Sequence, residues 1–275
     1  MGGVRFLISG AILFVYCWWR GLKLWWPPKM MLVMGIVGVL LLGGGNVGLI
    51  YGEQTVPSGF SSLVLAVIPL YVALLEMALP GGEPIQWRGW LGIAMGIGSL
   101  SVLMWPSVRS GIDGNVKVLL ALAALLGGAL CWTVGSVYSR RKRLPVNSFV
   151  AASWQMLIAG AVNLLLGTMM GEWPSYHMTG RAAGAIAWLV TGGSLIGYSA
   201  YIYLLEHVPV AKVSSYAYVN PVVAVLLGIF ILHERPEPVE FVGMVGIIAA
   251  VYLLTTAQVR KKARPIEELE QLPVD

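Results

Sequence analysis

Charge is the first thing this chain lacks. Only 11% of its 275 residues are charged, against 57% hydrophobic, whereas soluble domains carry about a quarter. The deficit excludes an ordinary solvated surface and points to lipid as the solvent. Cysteine is scarce too. Cys17 and Cys131 both fall within apolar runs, so they indicate neither a disulfide framework nor a compartment and read as small packing residues. The three histidines, His177, His207 and His233, lie in separate segments without ligand spacing, and no metal site is expected. There is no Gly-Lys-Ser/Thr phosphate loop, so nucleotide hydrolysis is not supported and no cofactor is expected. Long polar segments are also missing: only residues 259–275 are freely polar. Loops this short leave no room for a soluble catalytic domain, and enzyme activity is not expected.

What the chain does have is apolar length. Nine runs stand out, at 3–19, 30–51, 57–79, 89–105, 115–138, 147–170, 181–205, 210–233 and 239–258. Each is near the roughly 17–25 residues that span a bilayer core as helix. They are continuously apolar rather than alternating, which argues against a β-barrel. The first run lacks a small-residue cleavage site and ends in "YCWWRG", so it reads as a retained span and not a signal peptide.

The net charge of +5 is sorted by loop. "RGLKLWWPPK" (20–29), "SRRKRLPV" (139–146), "RKKAR" (260–264) and Arg88 place twelve cations on one side of alternating spans. Arg109, Lys117, Arg181 and Arg235 place four on the other. Cations are retained on the cytoplasmic side, so the C-terminus is expected inside and the N-terminus outside. This sorting also removes any need for a nucleic-acid partner.

The chain echoes itself. "VPSGFSSLVLAVIPLYVALLEMALPGGEPIQWRGWLG" (56–92) returns as "VPVAKVSSYAYVNPVVAVLLGIFILHERPEPVEFVG" (208–243). At a shift of 152, Val56, Pro57, Ser62 and Pro69 meet Val208, Pro209, Ser214 and Pro221. At 151, Glu83 and Gly92 meet Glu234 and Gly243; at 150, Arg5, Leu7 and Gly10 meet Gln155, Leu157 and Gly160. Equivalent loops differ in charge: the cationic 20–29 corresponds to "GEWPSYHMTG" (171–180), which has no Lys or Arg. Opposite charge means opposite insertion, the signature of inverted repeats in secondary transporters. The alternative is a duplicated bundle that holds something else in the membrane.

"GVRFLISGAILFVYCWWRG", "VPSGFSSLVLAVIPLYVALL" and "SYAYVNPVVAVLLGIFILHERPEPVEFVGMVGI" resemble the EamA family of the drug/metabolite transporter superfamily over nearly the whole chain. The resemblance implies an all-α integral membrane protein, an inverted-repeat bundle of ten helices around a central cavity, and export of small metabolites or toxic compounds. Nine helices are expected here. Residues 1–105 form a first repeat of four helices that lacks the family's opening helix, 115–258 a second repeat of five, and 259–275 a cytoplasmic tail. The missing helix leads to the expectation that Met1 is an internal methionine of a longer frame, or that the chain is a truncated copy. Lipid would then meet a groove near Arg5.

Symmetry builds scaffold, so polar asymmetry is expected to mark the solute path. Lys212, Tyr216 and Asn220 form one stripe at helical spacing, and their repeat counterparts Phe60, Val64 and Ile68 are apolar. Asn220 near the midplane is either site or interhelical glue worth about 0.6 kcal/mol. Ser194, Tyr198 and Tyr201 share a face, and Trp132 lies well inside its run. These aromatics either stack on a guest or pack with a satisfied polar tip. Gln155 and Asn163 extend the polar supply. Pro69 and Pro221 each free a carbonyl four residues earlier, and either kink the helix or expose that carbonyl to a solute or ion. Glu76 is the acid placed inside a span, able to carry a coupling proton or to snorkel inward.

The expected function is a secondary transporter in a bacterial inner membrane, exporting a small metabolite or drug-like amphipathic solute by alternating access. A non-transporting or degenerate paralogue acting as an interaction component is the alternative. Expected partners are a small-molecule solute and the lipid bilayer, with a homodimer left open. Topology is directly testable. In a variant lacking Cys17 and Cys131, a cysteine at position 142 is expected to resist a membrane-impermeant maleimide in intact cells and to label after permeabilisation. Labelling in intact cells would reverse the assignment.

Overall fold

A backbone in hydrocarbon has no water to bond, so each apolar run must satisfy its own N–H and C=O groups as helix. The computed structural model describes residues 2–56, 58–81, 85–103, 105, 116–171, 179–220, 222–223 and 238–256. α1 is Gly2–Trp19. A second rod comprises α2 (Pro28–Gly38), a π-helical stretch Val39–Gly45 and α3 (Asn46–Glu53). α4 (Ser58–Leu65), α5 (Ile68–Ala78) and α6 (Trp87–Leu103) follow. Next come α7 (Val116–Lys142) and α8 (Ser148–Met169). Another rod joins α9 (Gly180–Trp188), a π-helical stretch Leu189–Tyr198 and α10 (Ser199–His207). α11 (Val210–Val213) and α12 (Pro238–Thr256) follow, with a helical segment at residues 216–220 between them.

Five of these are long and apolar enough to cross a membrane without a break: Gly2–Trp19, Pro28–Glu53, Val116–Lys142, Ser148–Met169 and Ala182–His207. Their ends follow local chemistry. Pro28 opens α2, where a missing N–H costs nothing. The Asn147 side chain accepts from the Phe149 N–H at 3.0 Å to start α8. α7 runs one turn beyond the expected end at residue 138. Its last turn carries Arg140, Arg141 and Lys142, whose charges offset the partial negative charge of a helix C-terminus.

Two expected spans are broken. Run 57–79 divides at Ala66 and Val67, and Pro69 sits in the first turn of the second piece. Pro69 has no N–H to give the Leu65 carbonyl, which favours the break. Run 210–233 divides at Ser214 and Ser215. There the two hydroxyls bond back to the carbonyls of Ala211 and Lys212, at 2.9 and 2.8 Å. The expected continuous stripe of Lys212, Tyr216 and Asn220 is therefore bent between its first two members. Pro221 and residues 224–237 lie outside the described residues.

Packing joins positions that the echo equates. α1 lies along α8, and α6 lies along α12. The two π-helical stretches also correspond, since 39–45 shifted by 152 falls inside 189–198. Glycine sets the spacing. A methyl added at Gly160 would lie 2.8 Å from the Leu7 nitrogen, and one at Gly3 2.7 Å from the Leu164 nitrogen. On the second rod, a methyl at Gly38 would lie 2.5 Å from the Gln155 carbonyl oxygen. At Gly92 it would meet the Ala250 oxygen at 3.1 Å. Small residues let membrane helices approach to backbone contact, where dispersion and not a hydrophobic drive holds them.

The main core includes Phe6, Leu13, Met34, Val37, Met156 and Ile202. A second core, between α6 and α12, includes Ile93, Leu100, Tyr218 and Ile247. The opposite faces carry apolar groups outward: Ile8, Ile12 and Val15 on α1, and Val245, Ile248 and Tyr252 on α12. Such an inside-out surface suits a bilayer.

Gly160→Val is expected to force α1 from α8 and lower the melting temperature of the detergent-purified protein, since overpacking costs about 1–3 kcal/mol. Gly180→Val, where an added methyl meets nothing within 4 Å, serves as the control. Equal melting of the two variants would show that the α1–α8 contact is not tight.

Candidate functional site

One face of the bundle gathers the cationic turn after α7. Arg141 reaches Glu76 at 3.3 Å and the Pro80 carbonyl at 2.9 Å. Arg140 donates to the backbone carbonyls of Leu205 and Glu206. The Ser148 hydroxyl donates to the Glu206 carboxylate at 2.5 Å. On the same side, the Trp154 indole donates to the Leu24 carbonyl at 2.9 Å. At the far face the Tyr51 hydroxyl contacts the Met170 sulfur at 3.7 Å. Glu76 thus neither reaches out to water nor stands alone, because it is buried and paired with Arg141.

From the cationic face a cavity of about 490 Å³ enters the bundle. Arg140, Arg143, Glu206 and His207 line it near the rim, and Val37, Met34, Ile202 and Gln155 line it further in. Gln155 lies seven residues along α8 from Ser148, about 10 Å by helical rise. Its amide oxygen accepts from the Tyr198 hydroxyl at 2.7 Å. The Arg140 Nε is buried and makes no hydrogen bond with the described residues, an unmet donor at the rim.

Beside this path, α7, α10 and the helical turn at 216 meet through aromatic rings. The Trp132 indole donates to the Tyr201 hydroxyl at 2.9 Å, and Ser136 shares a hydrogen bond with the same hydroxyl at 2.7 Å. The Trp132 and Tyr201 centroids are 5.2 Å apart, and Tyr201 meets Tyr216 edge-on at 5.6 Å. Gly45 makes room, since a methyl there would lie 2.8 Å from the Trp132 ring.

The expected polar residues therefore separate into groups. Gln155 pairs with Tyr198, and Trp132, Tyr201 and Tyr216 form one cluster. Ser194 receives a hydrogen bond from the Arg5 Nε at 2.9 Å. Asn163 donates to the Leu42 carbonyl at 3.1 Å, while its buried carbonyl oxygen has no partner among the described residues. Asn163 thus clips α8 to the π-helical stretch. Asn220 is exposed, unlike Tyr216 on the turn before it. Pro69 marks a helix break and is buried. Pro221 falls outside the described residues.

Sequence reasoning passed over Arg5, Ser136, Arg140 and Glu206 as path residues. For Arg5 a signal existed, because it is the lone charge in its apolar run, and an arginine at a helix centre costs about 2.5–3.5 kcal/mol. Nothing comparable marks Ser136, whose role depends on where Tyr201 comes to rest.

Known proteins share this architecture. A solved structure titled "Crystal structure of protein" superposes with a TM-score of 0.78 over 93% of this chain and 87% of its own, at 23% identity, a likeness of fold. The inner membrane transporter YedA of Escherichia coli (strain K12) is 35% identical over 97% of this chain and 84% of its own length. Protein PecM of Dickeya dadantii (strain 3937) is 25% identical over 85% and 77%. The model of the EamA-like transporter family matches residues 1–105 and again 119–256. With two matched segments that leave few residues unclaimed, the chain belongs to the EamA-like transporter family.

Proposed function

We propose that this chain is a multi-pass inner-membrane secondary transporter that exports a small amphipathic metabolite or drug-like solute by alternating access. The observation that carries the reading is the 490 Å³ cavity reaching from the cationic rim to Gln155. It offers an amphipathic guest both kinds of surface: apolar walls at Met34, Val37 and Ile202, and polar groups at Gln155 and the rim. Pockets of roughly 300–1,000 Å³ suit small molecules. The division into repeats at 1–105 and 115–258 supplies two similar bundles able to rock about the path. The cationic rim faces the cytoplasm on this reading, since cations are retained there. Solute therefore enters from within, and export is the direction.

The roles follow from position. Gln155 and Tyr198 give the path a neutral donor and acceptor. The Trp132–Tyr201–Tyr216 cluster provides ring faces whose orientation is held by the Tyr201 hydroxyl. Pro69 and the serine pair at 214 and 215 weaken two helices where the bundles must bend. Glu76 and Arg141 lock the inner ends of α5 and α7 together.

Screening the purified chain by thermal shift against a metabolite library identifies the solute; accumulation in cells with and without the chain then tests transport. Tyr201→Phe removes the hydroxyl that joins Trp132 and Ser136, and is expected to weaken binding about five- to tenfold, the worth of about 1–1.5 kcal/mol. Ile12→Ala, at an outward-facing position, is expected to leave transport unchanged. Identical accumulation with and without the chain for every solute that binds would refute the transport reading.

A further inference from the structure

Arg5 holds a full positive charge at mid-depth in the bundle. Two neighbours give its level. A methyl at Gly160 would touch the Leu7 nitrogen and the Gly3 oxygen, so Arg5 lies beside Gly160, twelve residues after Ser148 and nine before Met169. Ser194, its hydrogen-bond partner, is twelve residues after Ala182 and thirteen before His207 in its own span. An arginine that merely snorkelled would point to the near headgroups. This one bonds toward the centre.

Its surroundings are neutral. The Nε donates to the Ser194 hydroxyl at 2.9 Å, and the guanidinium lies 4.7 Å from the centre of the Phe6 ring. Gly193 leaves space beside it: a methyl there would lie 3.3 Å from a terminal guanidinium nitrogen. Arg5 makes no ion pair with a described residue. The two terminal nitrogens donate to none of the described residues, and the residue is partly buried. Its counterpart in the echo is Gln155, which is uncharged and bonded to Tyr198. The charge therefore belongs to one half alone and is no requirement of the repeat.

A cation in a low-dielectric interior without an opposite charge is costly, and it favours any anion that can reach it. The two terminal nitrogens present a planar fork matched to a carboxylate or phosphate. From these facts we infer that Arg5, steadied by Ser194, is an anion-binding subsite on the solute path, and that the solute is a small organic anion bearing a carboxylate. Ser194, Tyr198 and Tyr201 lie four and seven residues apart, on one face of their rod. A carboxylate at Arg5 leaves the rest of the solute to extend about 10 Å toward Tyr201. The solute role rests on the transport reading; the anion site does not.

Calorimetric titration of the full-length chain in phosphatidylcholine nanodiscs tests it. The probes are aliphatic and aromatic monocarboxylates, each against its uncharged amide, with inorganic phosphate as a separate arm. Carboxylates are expected to bind at least tenfold more tightly than their amides, and Arg5→Gln to erase that difference while leaving amide binding unchanged. Arg5→Lys is expected to keep part of it, and Ser194→Ala to weaken it a few-fold. Size-exclusion profiles and melting curves establish that each variant is folded, and Arg5→Lys preserves the test if Arg5→Gln does not fold. Equal binding of acids and amides, or a preference untouched by Arg5→Gln, would overturn the inference. So would Arg5-dependent binding of phosphate alone, or displacement of the acids by phosphatidylglycerol in the disc, which would assign the fork to a phosphate or a headgroup. Carboxylate binding through Arg5 without carboxylate movement in proteoliposomes would sink the transport reading and leave the anion site standing.

Discussion

Close approach of helices at glycine is the constraint on which the interior depends. Without a water-driven hydrophobic force between spans, association relies on dispersion, and dispersion demands contact. Gly3, Gly10 and Gly160 bring α1 and α8 to backbone contact, and Gly38 brings the second rod against Gln155. Those contacts set where Arg5 and Gln155 stand. With bulkier residues at the seam, Arg5 would no longer reach Ser194, nor Gln155 Tyr198. The polar path is thus a consequence of small residues that carry no chemistry themselves.

The two rods add a second feature that follows from symmetry. Each contains a π-helical stretch at an equivalent place, Val39–Gly45 and Leu189–Tyr198. A π turn widens the helix and leaves its carbonyls less regularly engaged, and such turns concentrate at functional positions. In the first rod the Leu42 carbonyl takes a hydrogen bond from Asn163. In the second, the stretch itself presents Ser194 and Tyr198 to Arg5 and Gln155. The same backbone irregularity is used as a clip in one half and as a platform for side chains in the other.

Electrostatics is divided along the same lines. The inner rim pairs Arg141 with Glu76 and uses Arg140 on carbonyls, so much of its charge is spoken for. Arg5, deeper, has among the described residues a hydroxyl and a ring. A solute drawn by the rim would pass neutral amide and phenol groups before meeting that charge.

Apolar run length and loop charge are one-dimensional properties, and they determined the helical membrane class, the expected spans and the sorting of cations. The echo equated positions of the two halves; that α1 packs on α8 and α6 on α12 came from the tertiary structure. Gln155, Tyr198, Trp132, Tyr201 and Tyr216 were legible as polar or aromatic groups where hydrocarbon should be. Their partners were not. Whether Tyr201 bonds Ser136 or Asn163 depends on helix rotation and depth, which vary by fractions of a turn that no spacing records. The breaks at Ala66 and Ser214, the burial of Glu76 against Arg141 and the exposure of Asn220 were decided only by tertiary structure. Each depends on competition between a helix's own hydrogen bonds and the neighbours it meets. Arg5 shows the division most plainly: the sequence marked a charge in the wrong solvent, and only the fold turned it toward the centre of the bundle.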